Sequence, residues 1–233
     1  RIEVRDLAAK VTPYLFIDEL HGSAIGTIVG RGVSRETDFP SQEFKALQGE
    51  DLEINDQELL ANSSNNLAVV YLENGFYNDA LGYVKQALAV KDLKQIDTEL
   101  YAMVLDNYAY IQLKAGDSKD FLKTSNRALE IRDSIRHQAG MMVSRIRLGE
   151  YYLDAEDTTE ALSNFKMALA LAEDEKNAKY ELEALLKLHN ITGKQEYLDR
   201  YLVLNEQLLN DERGIRSKFA RIRYETDQYI NKN

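Results

Sequence analysis

Apolar and small residues recur at helical spacing through the middle of the chain. In Asn66–Leu88, NLAVVYLENGFYNDALGYVKQAL, two such runs flank Asn74-Gly75. The first carries Leu67, Ala68 and Tyr71 on one face. The second carries Ala80, Val84, Ala87 and Leu88 at the i, i+4, i+7, i+8 steps of a buried helical stripe. This pattern predicts two antiparallel helices that turn at the glycine. Small residues at 68, 80 and 87 let the backbones approach, while Leu67, Tyr71 and Leu88 fill the space between. Such a pair cannot cover its apolar faces alone and requires neighbours of its own kind.

The neighbours follow in sequence. Asn107–Leu129, NYAYIQLKAGDSKDFLKTSNRAL, and Arg147–Leu169, RLGEYYLDAEDTTEALSNFKMAL, repeat the pattern at intervals of 41 and 40 residues. Leu67, Tyr108 and Leu148 share a column, as do Ala68, Ala109 and Gly149. Gly75 and Gly116 align at the turn, where the third copy has Glu156. Ala80, Phe121 and Ala161 align next, then Ala87, Ala128 and Ala168, then Leu88, Leu129 and Leu169. With these columns the chain resembles the tetratricopeptide repeat (TPR) family, whose unit is a small-residue and Tyr helix, a Gly turn, and an Ala, Phe/Tyr, Ala helix. The resemblance implies an all-α, TPR-like α-solenoid of antiparallel helix hairpins in a right-handed superhelix. The usual TPR period is 34 residues. A surplus of about 6 residues lengthens the helices by about 9 Å and deepens the groove wall.

The expected organisation is a degenerate N-terminal helical repeat over 1–54, three TPR-like repeats over about 55–95, 96–136 and 137–176, and a divergent fourth hairpin over 177–210. A C-terminal capping or connector helix follows over 211–233. Within the repeats, helices are expected at 56–74 and 77–91, 96–115 and 118–136, 139–155 and 158–174, and 177–192 and 194–210. The last pair turns at Thr192-Gly193 and places Tyr201 where a repeat would carry Ala. Asn55 to Glu58 reads as a capping box, and Asp117/Asp120 and Asp157/Glu160 repeat that signature. In the N-terminal segment Thr12-Pro13 breaks one helix. Gly22, Gly26 and Gly30 mark a small-residue helix edge, and Pro40 opens another helix.

The segment NDERGIRSKFARIRYETDQYINKN ends the chain. Leu208, Ile215, Phe219, Ile222 and Tyr229 form an apolar seam, beside the basic run Arg213, Arg216, Lys218, Arg221 and Arg223. One reading is a basic solvated edge on a helix covering the last hairpin; the other is a connector helix. RSKFARIRYETDQY resembles the end of the TPR sensor region of bacterial membrane-anchored signalling proteins. There the repeats lie outside the cytoplasmic membrane. The resemblance implies a transmembrane span after Asn233 and then a cytoplasmic histidine-kinase or helix-turn-helix output domain.

Composition narrows the function classes. Only two prolines interrupt 233 residues, and the hydrophobic fraction of 44% suffices for a folded chain. Lysine and arginine number 29 against 39 acidic residues, a net charge of −10, which argues against a nucleic-acid partner. There is no cysteine, hence no disulfide or thiolate metal site. The longest apolar runs, AIGTIVG and LAVVYL, are far shorter than a membrane span. The first residue is Arg1, as in a trimmed piece, so a removed export signal stays open.

Catalytic patterns are missing from the sequence. His21, His137 and His189 are widely separated, and none forms a His-x-x-x-His pair. GTIVGRG at Gly26–Gly32 lacks the lysine and preceding strand of a phosphate loop. Asp154, Glu156 and Asp157 read as turn and cap residues. The expectation is a non-catalytic domain with no cofactor and no metal, binding a protein or peptide segment.

By the TPR resemblance, the first helix of each repeat lines the concave face. The matching positions are Asn62, Asn65, Asn66 and Val69; Met103, Asp106, Asn107 and Tyr110; and Val143, Ile146, Arg147 and Glu150. Asn66 and Asn107 each offer a donor and an acceptor to a peptide backbone, or else bond within their own repeats. The chaperone-type TPR clamp grips a C-terminal carboxylate with lysines. Asn65 and Asp106 stand at those places here, which disfavours that ligand. Two settings fit: the extracytoplasmic sensor region of a bacterial signalling protein, or a cytoplasmic TPR scaffold or peptide-responsive regulator.

Overall fold

The computed structural model describes residues 54–230. The expected N-terminal repeat, with its Gly22, Gly26 and Gly30 edge and its Pro40 helix start, lies outside the described residues. Among the described residues all regular structure is α-helical. The helices are α1 (Ile54–Glu73), α2 (Tyr77–Leu88), α3 (Leu93–Ile96), α4 (Thr98–Lys114), α5 (Phe121–Ser134), α6 (Gln138–Asp154), α7 (Thr158–Asp174), α8 (Ala178–Thr192) and α9 (Gln195–Ile230). The chain divides into two compact units, Arg1–Gly140 and Met141–Asn233, the division falling inside α6.

In the first unit α1 packs on α2, and both pack on α4, which also packs on α5. Leu67, Ala68, Ala80, Val84 and Ala87 meet Leu100, Val104 and Ile111 in one core, as the apolar columns require. Tyr71 stacks on Tyr83 with ring centroids 5.2 Å apart at the edge of this core. Burial and the Tyr71 hydroxyl beside it push the Tyr83 phenol well above its ordinary pKa. In the second unit α7 packs on α8 and α8 on α9. Its core joins Ile146, Phe165, Ala168 and Leu169 to Ala184, Leu185 and Leu188. Tyr197 and Tyr201 of α9 pack against it, so Tyr201 acts as an apolar cover.

The turns repeat one geometry. Gly75, Gly116, Arg136, Glu156 and Lys176 all take positive φ, between 54° and 91°. At each, the amide of that residue bonds the carbonyl three residues back, and the next amide bonds the carbonyl five back. This left-handed closure satisfies the carbonyls that a helix end leaves orphaned. Glu156 thus occupies the glycine column with a glycine-like backbone, φ 61°. Gly193, φ 66°, closes α8 with a single bond from its amide to the His189 carbonyl.

Start signals follow the same economy. Asp97 accepts from the Leu100 amide at 2.9 Å, Asp157 from Glu160 at 3.1 Å and Asn177 from Tyr180 at 3.4 Å. Each satisfies one free amide of a first helical turn. Asp120 stands at the cap position of α5 but accepts no such bond. Helix α1 already begins at Ile54, so Asn55 to Glu58 lie within it rather than capping it.

Two elements differ from expectation. The short helix α3, entered through Asp92 at φ 56°, interrupts what the pattern treats as a plain link. The second helix of the fourth pair and the expected connector are one continuous helix, α9, with no break near residue 210. Good helix formers surround Gly214, and a single glycine costs an interior helix only about 1 kcal/mol.

Candidate functional site

The sequence-derived candidates divide between the two units, and each group is built differently. In the first unit, Asn62 is exposed and Asn66 donates to it at 3.1 Å within α1. For Asn66 the bond within its own repeat is the one formed. Val69, Met103 and Tyr110 are half-buried. Lys114 lies 4.9 Å from the Tyr110 ring centre, a cation–π contact on the surface of α4.

Three of the polar candidates face inward. Asn65 is 1% exposed, Asp106 is 0% and Asn107 is 5%. Asn107 donates to the Asn65 side-chain oxygen at 2.8 Å, joining α4 to α1. Asn107 therefore bonds the neighbouring repeat, neither its own repeat nor an open groove. Asp106 pairs with Arg132 of α5 at 3.1 Å, and the same guanidinium nitrogen donates to the Gly140 carbonyl at 2.7 Å. Burial without partners would be costly for all three, and the structure supplies the partners. Ile146 of the second unit is likewise buried, 4% exposed, and belongs to the core.

The second unit holds a charged constellation on α6 and α8. Val143, Arg147 and Glu150 are half-buried on α6, and Glu183 and Lys187 are half-buried on α8. Lys187 reaches Glu150 at 2.5 Å. Burial raises the Glu183 pKa above the ordinary glutamate value, and the negative charge of Glu150 raises it further. Lys187, Lys179 and Arg147 pull in the opposite direction without cancelling the rise. The face thus presents carboxylate acceptors and cationic donors side by side, the groups that orient the amides and charged side chains of a peptide.

Glu183, Lys187 and Lys179 were not among the sequence candidates. Their signal is local: Lys179, Glu183 and Lys187 stand four residues apart on one helix face. The fourth pair lacks the small-residue columns, so that stripe falls outside the repeat register. Among the described residues no cluster of His, Asp and Glu has metal-binding geometry, and no helix is long and apolar enough to cross a membrane.

No protein-family model matches the chain, and no curated protein sequence matches it. Among solved structures it is similar to the crystal structure of BtubC (BKLC) from P. vanneervenii, with a TM-score of 0.61 and 17% identity. The match covers 88% of this chain and 91% of that one. At this identity the likeness shows a shared fold and carries nothing about function.

Proposed function

We propose that the chain is a non-catalytic, TPR-like protein- or peptide-binding module, its helix hairpins stacked as an α-solenoid in a right-handed superhelix. The observation that carries the reading is the half-exposed face of α6 and α8, where Arg147, Glu150, Glu183 and Lys187 stand together. Its ligand is an extended segment with charged groups of both signs. The repeating left-handed turns and the small-residue columns support the repeat architecture.

The test is panning of a displayed random-peptide library, then anisotropy titration of the selected peptides. Charge reversal by Glu150→Lys or Lys187→Glu is expected to weaken binding about tenfold, near 1.4 kcal/mol. The double swap is expected to recover part of it. A library that yields no binder, or binders indifferent to all four charged positions, would discard this site.

Two settings remain as proposals. The sensor setting is supported by α9, which runs unbroken from the last pair through RSKFARIRYETDQY to Ile230. A cytoplasmic scaffold or regulator is the alternative. Fractionation of cells, with protease added outside the inner membrane, separates them. Cleavage of a membrane-bound species larger than 26.6 kDa supports the sensor; a soluble species of about that mass supports the scaffold.

A further inference from the structure

Between α7 and α9 of the second unit, a cleft of about 380 Å³ opens to solvent. Leu169, 7% exposed, lies at its base, and Tyr197 of α9 packs against the same core. The α7 wall continues through Ala170, an exposed position whose side chain is a single methyl. That small residue leaves the space open. The volume is at the low end for a ligand pocket, a size for one large side chain rather than a cofactor.

The charges around the cleft balance. Two cations, Lys166 and Arg200, and two carboxylates, Glu173 and Glu196, line it. Arg200 crosses from α9 to Glu173 of α7 and also donates to Glu181 at 3.1 Å. Its N–H edge is thus turned to carboxylates, and what a planar guanidinium still offers is its face. A neutral ring uses that face. A further anion would meet Glu173 and Glu181, and a further cation would meet Arg200.

The cleft is particular to this end of the repeats. One repeat earlier, 40 residues back, the positions of Ala170, Glu173, Glu196, Tyr197 and Arg200 hold Glu130, Asp133, Glu156, Asp157 and Glu160. Carboxylates there replace the methyl, the ring and the guanidinium. We propose that the α7–α9 cleft is a socket for one tryptophan or tyrosine side chain of a partner protein. The ring lies on Leu169 and Ala170, beside Tyr197 and the face of Arg200. Its indole N–H or phenol O–H donates to the exposed Glu196 carboxylate at the rim. Rings with an apolar body and one polar tip are the usual anchors of a protein interface, which sets them above leucine or phenylalanine here.

This socket shares no residue with the charged face of α6 and α8 and does not depend on it. A partner anchored here leaves that face free for its peptide.

The chain has no tryptophan, so the fluorescence of an added indole reports its own surroundings. Titrating N-acetyltryptophanamide with the full 233-residue chain is expected to give a saturable blue shift. N-acetylleucinamide is expected to compete about tenfold more weakly. Amide NMR is expected to place the largest shifts at Ala170, Tyr197 and Arg200. Ala170→Leu fills the space from an exposed helix position, and circular dichroism checks that the fold persists. It is expected to weaken binding about tenfold, and Arg200→Lys, which keeps the charge and loses the planar face, about threefold. Lys187→Glu on the peptide face is expected to leave indole binding unchanged, so failure of one site is distinguishable from failure of the other. A blocked pentapeptide with a central tryptophan is expected to bind at least as tightly as the amide. No saturation at the solubility limit overturns the proposal. So does indifference to Ala170→Leu, equal competition by the leucine amide, or shifts confined to α6 and α8. An amide that binds while the pentapeptide does not would make this a small-molecule site and would overturn it too.

Discussion

The backbone of Gly149 on α6 lies against the ring of Phe165 on α7, so close that a Cβ at 149 would stand 2.7 Å from two ring carbons. The same two columns hold Ala68 with Val84 in the first repeat and Ala109 with Ser125 in the second. Bulk has moved between the helices, and a larger residue on one requires a smaller residue on the other. Gly149→Ala is expected to destabilise the fold by about 1–3 kcal/mol, because the ring is enclosed and cannot step aside. Adding Phe165→Val recreates the pair of the first repeat and is expected to recover part of the loss. Urea titration of both variants measures the coupling; equal destabilisation by the two would refute the compensation.

Asp106 and Arg132 form a buried ion pair whose loss is asymmetric. Asp106→Ala strands the guanidinium in the interior and is expected to cost about 3–5 kcal/mol. Denaturant unfolding of the first unit reports it. A near-neutral outcome would mean that Arg132 escapes to solvent.

Neighbouring asparagines give opposite expectations. Asn107→Ala leaves the buried Asn65 without the bond joining α1 to α4, an expected cost of about 1–3 kcal/mol. Asn66→Ala removes only a surface bond to Asn62, so its change stays within about 0.5 kcal/mol. Equal effects in thermal melts would contradict this placement.

Glu156 holds a left-handed backbone at a position where two other repeats use glycine. Glu156→Gly relieves that strain at the cost of chain entropy in the unfolded state. The net expectation is a gain of about 0.5–1 kcal/mol, read as a higher melting temperature. A lower melting temperature would show that the Glu156 side chain contributes more than its backbone costs.

Glu183 links stability to pH. Its folded pKa is raised, so the folded chain holds a proton that the unfolded chain releases. Stability from this group is present below the ordinary glutamate value and is lost as pH rises through the raised folded value. Glu183→Gln is therefore expected to melt higher than the parent at neutral pH, with the advantage fading towards about pH 4. An advantage independent of pH would assign the effect to packing instead.

The apolar half of the structure was legible because it is local. Ala80, Ala87, Ala128, Ala161 and Ala168 were marked by periodicity alone, and all are fully buried. Helix α7 spans the expected 158–174, since Asp157 announces its start and the aligned turn its neighbours. Polar interior positions were not legible. Asn65 and Asp106 look like groove residues until Asn107 and Arg132, distant in sequence, are seen to meet them. The continuity of α9 is not legible in the repeat register, because the basic run marks a change of side chains and not a helix end. Composition changes at Arg213, while the backbone does not.

The reach of Arg132 across to Gly140 sets where this chain can be cut. Its guanidinium is buried at the end of α5, yet one of its bonds is to a carbonyl in the first turn of the following helix. A fragment stopped at the preceding turn, near residue 136, would look complete by repeat counting and would keep the Asp106 partner, but it would remove the Gly140 carbonyl from the guanidinium and open that side of it to water. The smallest soluble piece of the first unit must carry the opening turn of α6 as a stopper, and a ribosome must release that turn before α5 can settle.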